Sequence, residues 1–222
     1  MRTAVIISLL ATAQPVIADE RAERRASCTP MVTAIYEGCE VTNHFSCPDG
    51  SVYAEELRAS GGMIISLFDD AYNMQYAHNP DTGEGAYHAI EIYDRFEMDV
   101  LLAEGFETES LHRYSQNMFG IEDSYDVQAT YAVTDRTRVF SVGEMQVLDY
   151  TQTQVVGFGG NTALIEGELY LDQSLGRYFN GSATMHLGGA QMDLPTLIDI
   201  VGPTSPFFMT QNPEDTCQGQ LS

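Results

Sequence analysis

A regular alternation of apolar and polar side chains between residues 125 and 187 constrains the fold of this chain more than any other feature. In 125–134, every second residue is apolar or tyrosine, and the residues between them are polar except Ala132. The same period of two recurs in 163–171 and in 179–187. Successive side chains of a strand point to opposite faces, so this period is typical of strands with one buried face and one exposed face. The sequence therefore predicts a mainly β fold.

Short turn-forming stretches separate the predicted strands along most of the chain. Short connections between successive strands favour an antiparallel meander. About ten strands are too many for one open sheet with a wet face, so we expect either a sandwich or a partly closed, curved barrel. The predicted strands are 51–58, 62–68, 72–78, 86–93, 125–134, 137–149, 153–158, 162–172 and 176–187.

Four other segments depart from this pattern. Residues 19–27 are polar and predict a loose arm, and Thr29-Pro30 predicts the start of a short helix that Gly38 ends. The spacing of apolar residues in 97–118 predicts a helical insert, as one helix or two, that covers an open end or the concave face of the sheet. Residues 194–200 predict one more short helix or strand.

The N-terminal residues 1–18 resemble a secretory signal peptide in layout. Arg2 gives a positive start, a short apolar run follows, and Val16-Ile17-Ala18 precedes Asp19. Cleavage is expected after Ala18, with Ala13 as the alternative. The apolar run is shorter than the ~20 residues of a membrane span, and we predict no membrane span later in the chain. We therefore expect a single exported domain, 19–222, that is periplasmic or secreted.

The charge of the chain is strongly unbalanced. Its formal net charge is −22, with 32 acidic residues against ten basic residues that are all arginine. A surface of this sign repels phosphate backbones, which argues against nucleic acid as a partner. The same repulsion favours a monomer.

The four cysteines, Cys28, Cys39, Cys47 and Cys217, predict two disulfides in an exported chain. Because the first three lie near the start, one bridge must join Cys217 to the N-terminal region. The pairing stays open: Cys39 can reach Cys47 only across a tight hairpin, since a straight strand would hold them ~26 Å apart. The absence of a Cys-x-x-Cys pair disfavours metal binding.

No motif for catalysis, zinc or phosphate binding is present, so we predict no catalytic, cofactor-binding or metal-binding residue. Four weaker patterns compete with surface, turn or core roles, which are favoured in each case. They are a metal site at His78 and His88 with Asp81 and Glu84, a calcium loop at Asp81–Gly85, a copper site at Met185, His186 and Met192, and an acid pair at Glu166 and Glu168.

The aromatic and methionine content gives the leading functional hypothesis. The chain has 12 tyrosines, 10 phenylalanines and 10 methionines but no tryptophan. A curved sheet lined by such side chains can hold an apolar or lipid-like small molecule. We therefore expect a non-catalytic ligand-binding protein. The alternatives are an envelope structural or interaction domain with a protein partner and, less favoured, a carboxylate-based hydrolase or a metal-handling protein.

Overall fold

The computed structural model describes residues 16–116, 122–156 and 161–218. Most of these residues lie in strands, and three short helices accompany them. The helices are α1 Val16–Ser27, α2 Met98–Glu104 and α3 Glu214–Gln218. The strands are β1 Thr29–Tyr36, β2 Glu40–Ser46, β3 Val52–Arg58, β4 Met63–Phe68, β5 Met74–His78, β6 Gly85–Asp94, β7 Phe106–Gln116, β8 Glu122–Phe140, β9 Gly143–Val156, β10 Asn161–Asp172, β11 Arg177–Leu187, β12 Ala190–Asp193 and β13 Leu197–Val201.

The strands form one antiparallel meander. From β1 to β12 each strand pairs with its neighbours in sequence, and β13 returns to pair with β1 at the opposite end. The predicted mainly β fold and antiparallel meander are confirmed. The tight turns at 59–62 and 79–84 explain this order, because they leave a strand no room to reach any partner but the next one.

The meander folds over on itself into two facing half-sheets. The first half-sheet contains β13 and β1–β6, the second contains β7–β12, and the β6–β7 pair joins them. Contacts between the halves include the Tyr72 hydroxyl, which donates to the Tyr178 carbonyl at 3.0 Å, and the rings of His44 and Phe179, 5.2 Å apart. Within the described residues β12 and β13 do not pair with each other. The architecture is consistent with the sandwich among the two predicted alternatives.

Separate apolar clusters hold the layers together. One packs Val32 and Ala34 of β1 against the second half-sheet. Another packs Leu101 of α2, and Phe96 just before this helix, against β8–β10. The outer face of β1–β4 is covered by the C-terminal tail through Phe207 and Met209. Apolar side chains are therefore buried on both faces of the first half-sheet.

The alternation in 125–134 is confirmed where it was clearest. Val127, Ala129 and Tyr131 are buried, whereas Asp126 and Gln128 are exposed. The predicted turn at 134–136 is wrong. β8 continues through it with a shift of register between Val133 and Thr137, and the chain reverses only after Phe140. Polar residues in that stretch mark a β-bulge rather than a turn.

The helical insert is confirmed only in its first part. α2 ends at Gly105, which adopts a left-handed conformation with φ 75°. Residues 106–116 form β7 rather than a second helix, because this segment has a pairing partner on each side, β6 and β8. The spacing of Leu111 and Tyr114 that suggested a helix is thus overridden by pairing.

The secondary structure of three segments near the ends of the chain differs from the prediction or completes it. The predicted helix after Thr29-Pro30 is wrong: the segment is β1, rich in β-branched residues, and Pro30 lies near the strand start where it is tolerated. The predicted loose arm 19–27 belongs to α1. Residues 194–200, left open between helix and strand, contain the start of β13.

The cysteines pair as Cys28–Cys47 and Cys39–Cys217. Cys28 and Cys47 flank the open end of the β1–β2 hairpin, where Thr29 pairs with Ser46. Cys39 lies in the turn of that hairpin and receives the C-terminal tail, 178 residues away. Most of the predicted signal peptide, residues 1–15, lies outside the described residues, and α1 begins at Val16. Among the described helices, none has the length and apolar character needed to cross a membrane.

Candidate functional site

A cavity of about 260 Å³ lies between the two half-sheets. Its walls come from β1–β4 on one side and from β7–β11 on the other. Residues 72–74 and Phe96 also contribute to its wall. Its lining includes Tyr36, Thr42, His44, Glu56, Phe68, Tyr72, Asn73, Phe96, Glu109, Arg113, Tyr131, Tyr150, Gln152, Leu169, Tyr178, Phe179 and Asn180.

A larger space of about 620 Å³ continues from this cavity toward β12. The two spaces share wall residues, among them Thr42, Tyr150, Gln152 and Asn180. We treat them as one cleft: the inner cavity and its mouth. Gln152 lies on β9 where the inner cavity meets the mouth.

Tyrosines dominate the inner cavity. The rings of Tyr131, Tyr150 and Tyr178 lie against each other, with Tyr131 5.3 Å from Tyr150 and 5.7 Å from Tyr178. Burial, followed by neighbouring tyrosines or the Glu109 carboxylate, raises the pKa of all three phenols above the usual range. These side chains are therefore neutral, and they present aromatic faces and hydroxyl groups to the cavity.

Tyr72 has a backbone conformation that bulky residues avoid. Its φ is 65°, in the left-handed region. Its ring stacks on Phe68 at 4.7 Å, and its hydroxyl is fixed on the Tyr178 carbonyl, while burial raises its pKa to about 12. Strain of this kind persists only where the surroundings enforce it, and it occurs preferentially at binding sites.

Every buried side-chain polar atom that has no hydrogen-bond partner within the described residues belongs to a residue lining the inner cavity. These atoms are both ring nitrogens of His44, Oδ1 of Asn73 and Nε of Arg113. His44 is 6% exposed and Asn73 is 2% exposed. A buried polar group without a partner costs about 1–3 kcal/mol, so an occupant of the cavity gains binding energy if its polar atoms reach these three side chains.

His44 is neutral in the folded chain. Burial, and then the charge of Arg177, lowers the pKa of its imidazole to about 3. One ring nitrogen therefore carries a proton and donates, while the other accepts. The His44 ring, the Nε–H of Arg113 and the side-chain oxygen Oδ1 of Asn73 together offer hydrogen-bond donors and acceptors to one occupant.

Replacing His44 by phenylalanine should change how stability depends on pH. In the unfolded chain a histidine titrates near pH 6.5, above its folded pKa, so unfolding takes up a proton between these values. The contribution of His44 is fully present above pH 6.5 and is lost on acidification by about 1.4 kcal/mol per pH unit. We measure the free energy of unfolding in urea for wild type and His44→Phe between pH 7 and pH 4. We expect the difference between the two proteins to show this slope, because the carboxyl contributions that they share cancel. Parallel stability curves for the two proteins would contradict a buried neutral imidazole.

Glu109 and Arg113 lie four residues apart on the same face of β7, and both line the inner cavity. Burial raises the pKa of the Glu109 carboxyl, against the charge of Arg113 and a hydrogen bond from the Tyr131 hydroxyl at 3.2 Å. The opposite charges of this pair nearly balance inside the cavity.

Carboxylates surround the mouth. The Arg58 guanidinium binds both Glu40, at 2.7 Å, and Glu56, at 2.7 Å. Arg136 likewise binds both Glu168 and Asp149. Each arginine thus neutralises one of its two carboxylates and leaves a net negative charge at or beside the mouth.

The chain has no match among protein-family models, curated proteins or solved structures. The site must therefore be interpreted from its own geometry.

The described part of the site weighed at His78 and the loop Asp81–Gly85 does not form a metal centre. The loop between β5 and β6 is a plain turn in which the Asn79 side chain accepts from the amides of Asp81 and Thr82. The side chain of His88 lies outside the described residues. In the part of the chain that is described, no group of three or more histidine, cysteine, aspartate or glutamate side chains is placed to hold a metal ion.

Of the other weighed residues, Met192 and Glu168 line the mouth. Met185 and Met192 pair across β11 and β12, and Met192 is 52% exposed. Glu166 lies 3.7 Å from the exposed ring of His186, whereas Glu168 binds Arg136. The acid pair of β10 is therefore engaged with separate partners.

Proposed function

We propose that the chain is an exported, non-catalytic protein that binds a small amphipathic molecule in the cleft between its half-sheets. The apolar part of the ligand packs against the aromatic rings, and its polar group bonds to His44, Asn73 and Arg113. The observation that carries this proposal is the convergence of all the described unpartnered buried polar atoms on one cavity. The mouth, at about 620 Å³, has the size of ordinary small-molecule sites.

The polar lining makes the expected ligand more specific. A purely apolar molecule would leave His44, Asn73 and Arg113 without partners. A lipid-like molecule remains compatible only if it carries a group that both donates and accepts hydrogen bonds. Export is supported by the two disulfides and by the N-terminal apolar run.

An interaction domain without ligand is the second candidate, and one feature favours it. All four residues of β12, at the edge of the sheet, are exposed, and such edges can accept a strand from a partner. That candidate also requires a filled interior, which the cavity argues against. Ligand binding is therefore favoured.

Native mass spectrometry on protein purified from its own exported fraction tests the proposal. We expect a mass matching cleavage after Ala18 and two disulfides, together with an added mass that organic extraction removes. The variant Gln152→Trp fills the junction of cavity and mouth. The variant Thr153→Trp is the matched control, because adjacent residues of β9 point to opposite faces.

We expect wild type and Thr153→Trp to retain the added mass and Gln152→Trp to lose it. Because the natural chain has no tryptophan, the fluorescence of each variant also reports whether the new ring is enclosed. A bare wild-type polypeptide would overturn the proposal in favour of the interaction domain. Equal added mass in both variants would place the ligand elsewhere.

A further inference from the structure

We propose that the ligand of this cleft is an organic cation, with its positive group at the mouth and its remaining body toward the tyrosines. This inference rests on the proposed function of the cleft and adds the chemical class of the ligand. It follows from the charge of the mouth, the aromatic faces of the inner cavity and the unpartnered atoms there.

The wall of the cleft carries more carboxylates than guanidinium groups. Its carboxylates are Glu40, Glu56, Glu109, Glu168 and Asp193, and its guanidiniums are Arg58 and Arg113. Arg58 is shared by two carboxylates, and so is Arg136, which binds Glu168 from outside the lining. Asp193 accepts a hydrogen bond from the Thr184 hydroxyl at 2.9 Å instead of an ion pair. The mouth is therefore negative even after pairing, which attracts a cation and repels an anion.

The inner cavity suits an organic rather than a metal cation. Its phenols are neutral, so Tyr131, Tyr150 and Tyr178 offer the negative faces of their rings without a formal charge. Such faces pack against an apolar body, and the ring of Tyr150, which also lines the mouth, can attract an ammonium group there. A small hard metal ion would instead need several oxygen ligands in a fixed arrangement.

The unpartnered buried atoms also disfavour an anionic ligand. Asn73 Oδ1 can only accept a hydrogen bond, and the neutral His44 ring offers a second acceptor. Arg113 Nε supplies a donor, but its charge is balanced by Glu109 on the same strand. A neutral hydroxyl, amide or amine in the ligand satisfies these atoms, whereas an anionic head group would face the Asn73 oxygen and the carboxylates.

Three probes with a common 4-(4-hydroxyphenyl)butyl body, whose phenol can bond to the inner atoms, test the inference: the trimethylammonium cation, the neutral alcohol and the carboxylate anion. Affinities are measured by isothermal titration calorimetry at low and high ionic strength, with two-dimensional NMR to locate binding. We expect the cation to bind about tenfold more tightly than the alcohol, equivalent to about 1.4 kcal/mol, and the anion to bind most weakly. Raising the salt concentration should reduce the advantage of the cation.

Charge-neutral variants test whether the mouth causes this preference. Glu56→Gln and Asp193→Asn each remove one carboxylate of the mouth, and Glu23→Gln removes an exposed one from α1. We expect the first two to lose most of the difference in affinity between the cation and the alcohol, and Glu23→Gln to keep that difference. Asp193 lies on the exposed edge strand, so this variant keeps the test informative if Glu56→Gln does not fold.

The two proposals fail in different ways. Equal or tighter binding of the alcohol or the anion in the cleft overturns the inference of a cation and leaves the ligand-binding function standing. Failure of all three probes, with no loss of added mass in Gln152→Trp, overturns the function itself.

Discussion

Replacing both Cys39 and Cys217 by serine will lower the free energy of unfolding by about 5 kcal/mol. The bridge between them joins residues 178 positions apart, so reduction frees a very large loop in the unfolded chain. Both cysteines are only half-buried, and serine fits there without a cavity in the core. Urea unfolding of the purified variant, with mass spectrometry to verify that the other bridge is intact, measures the loss.

The pair Cys28 and Cys47 is the matched control. Its separation of 19 residues gives an expected loss of about 3 kcal/mol from loop entropy alone. Because both sulfur atoms are buried, lost packing adds to that value. A loss in free energy of unfolding that is clearly smaller for the Cys39–Cys217 bridge than for this control would contradict the prediction. That result would show that packing, rather than the covalent link, holds the tail.

The second large effect is expected at the contact between α1 and the first half-sheet. Replacing Arg21 and Arg25 together by glutamine should cost about 3–5 kcal/mol, because it leaves the Glu55 carboxylate buried without a counter-charge. The Glu55 side chain is 0% exposed, accepts hydrogen bonds from Arg21 at 3.0 and 3.1 Å, and forms an ion pair with Arg25 at 3.3 Å. The hydroxyl of Tyr53, 3.1 Å away, is the one further described donor to it.

A charge-removal cycle identifies the cause of that loss. Adding Glu55→Gln to the double arginine variant removes the uncompensated charge and should restore much of the stability. Arg24→Gln makes the same charge change on the same helix, but Arg24 is not among the described donors to Glu55, so we expect about 0.5 kcal/mol or less. Thermal and urea unfolding of the four proteins measure these differences. No recovery in the triple variant would mean that the arginines act by packing.

The alternation of side chains made much of the sheet predictable. Strands β3, β4, β10 and β11 fall close to their predicted bounds, since each has turn-forming residues on both sides. The helix predicted after Pro30 failed because a proline fits the start of a helix and the start of a strand equally well. The second half of the helical insert failed because two neighbouring strands decide the conformation of 106–116.

The cleft was much less predictable than the sheet. Its tyrosines come from β1, β8, β9, β11 and the turn between β4 and β5, and His44 and Arg113 come from β2 and β7, so no local spacing joins them. The abundance of tyrosine in a chain without tryptophan was the available signal, and it predicted an aromatic lining but not the polar groups. Which polar atoms lack partners depends on how the half-sheets face each other, and a sequence pattern does not contain that information.

The position of β13 sets an order of events for a chain that is synthesised from its N-terminus. Hairpins from β1 to β12 join sequence neighbours and can form as each emerges, but the outer edge of β1 cannot pair before Leu197–Val201 are made. The native partner of Cys39, Cys217, is made later still. The N-terminal hairpin is therefore the part of the sheet whose native edge pairing and native disulfide are completed last, and until then it is the edge most open to pairing with another chain.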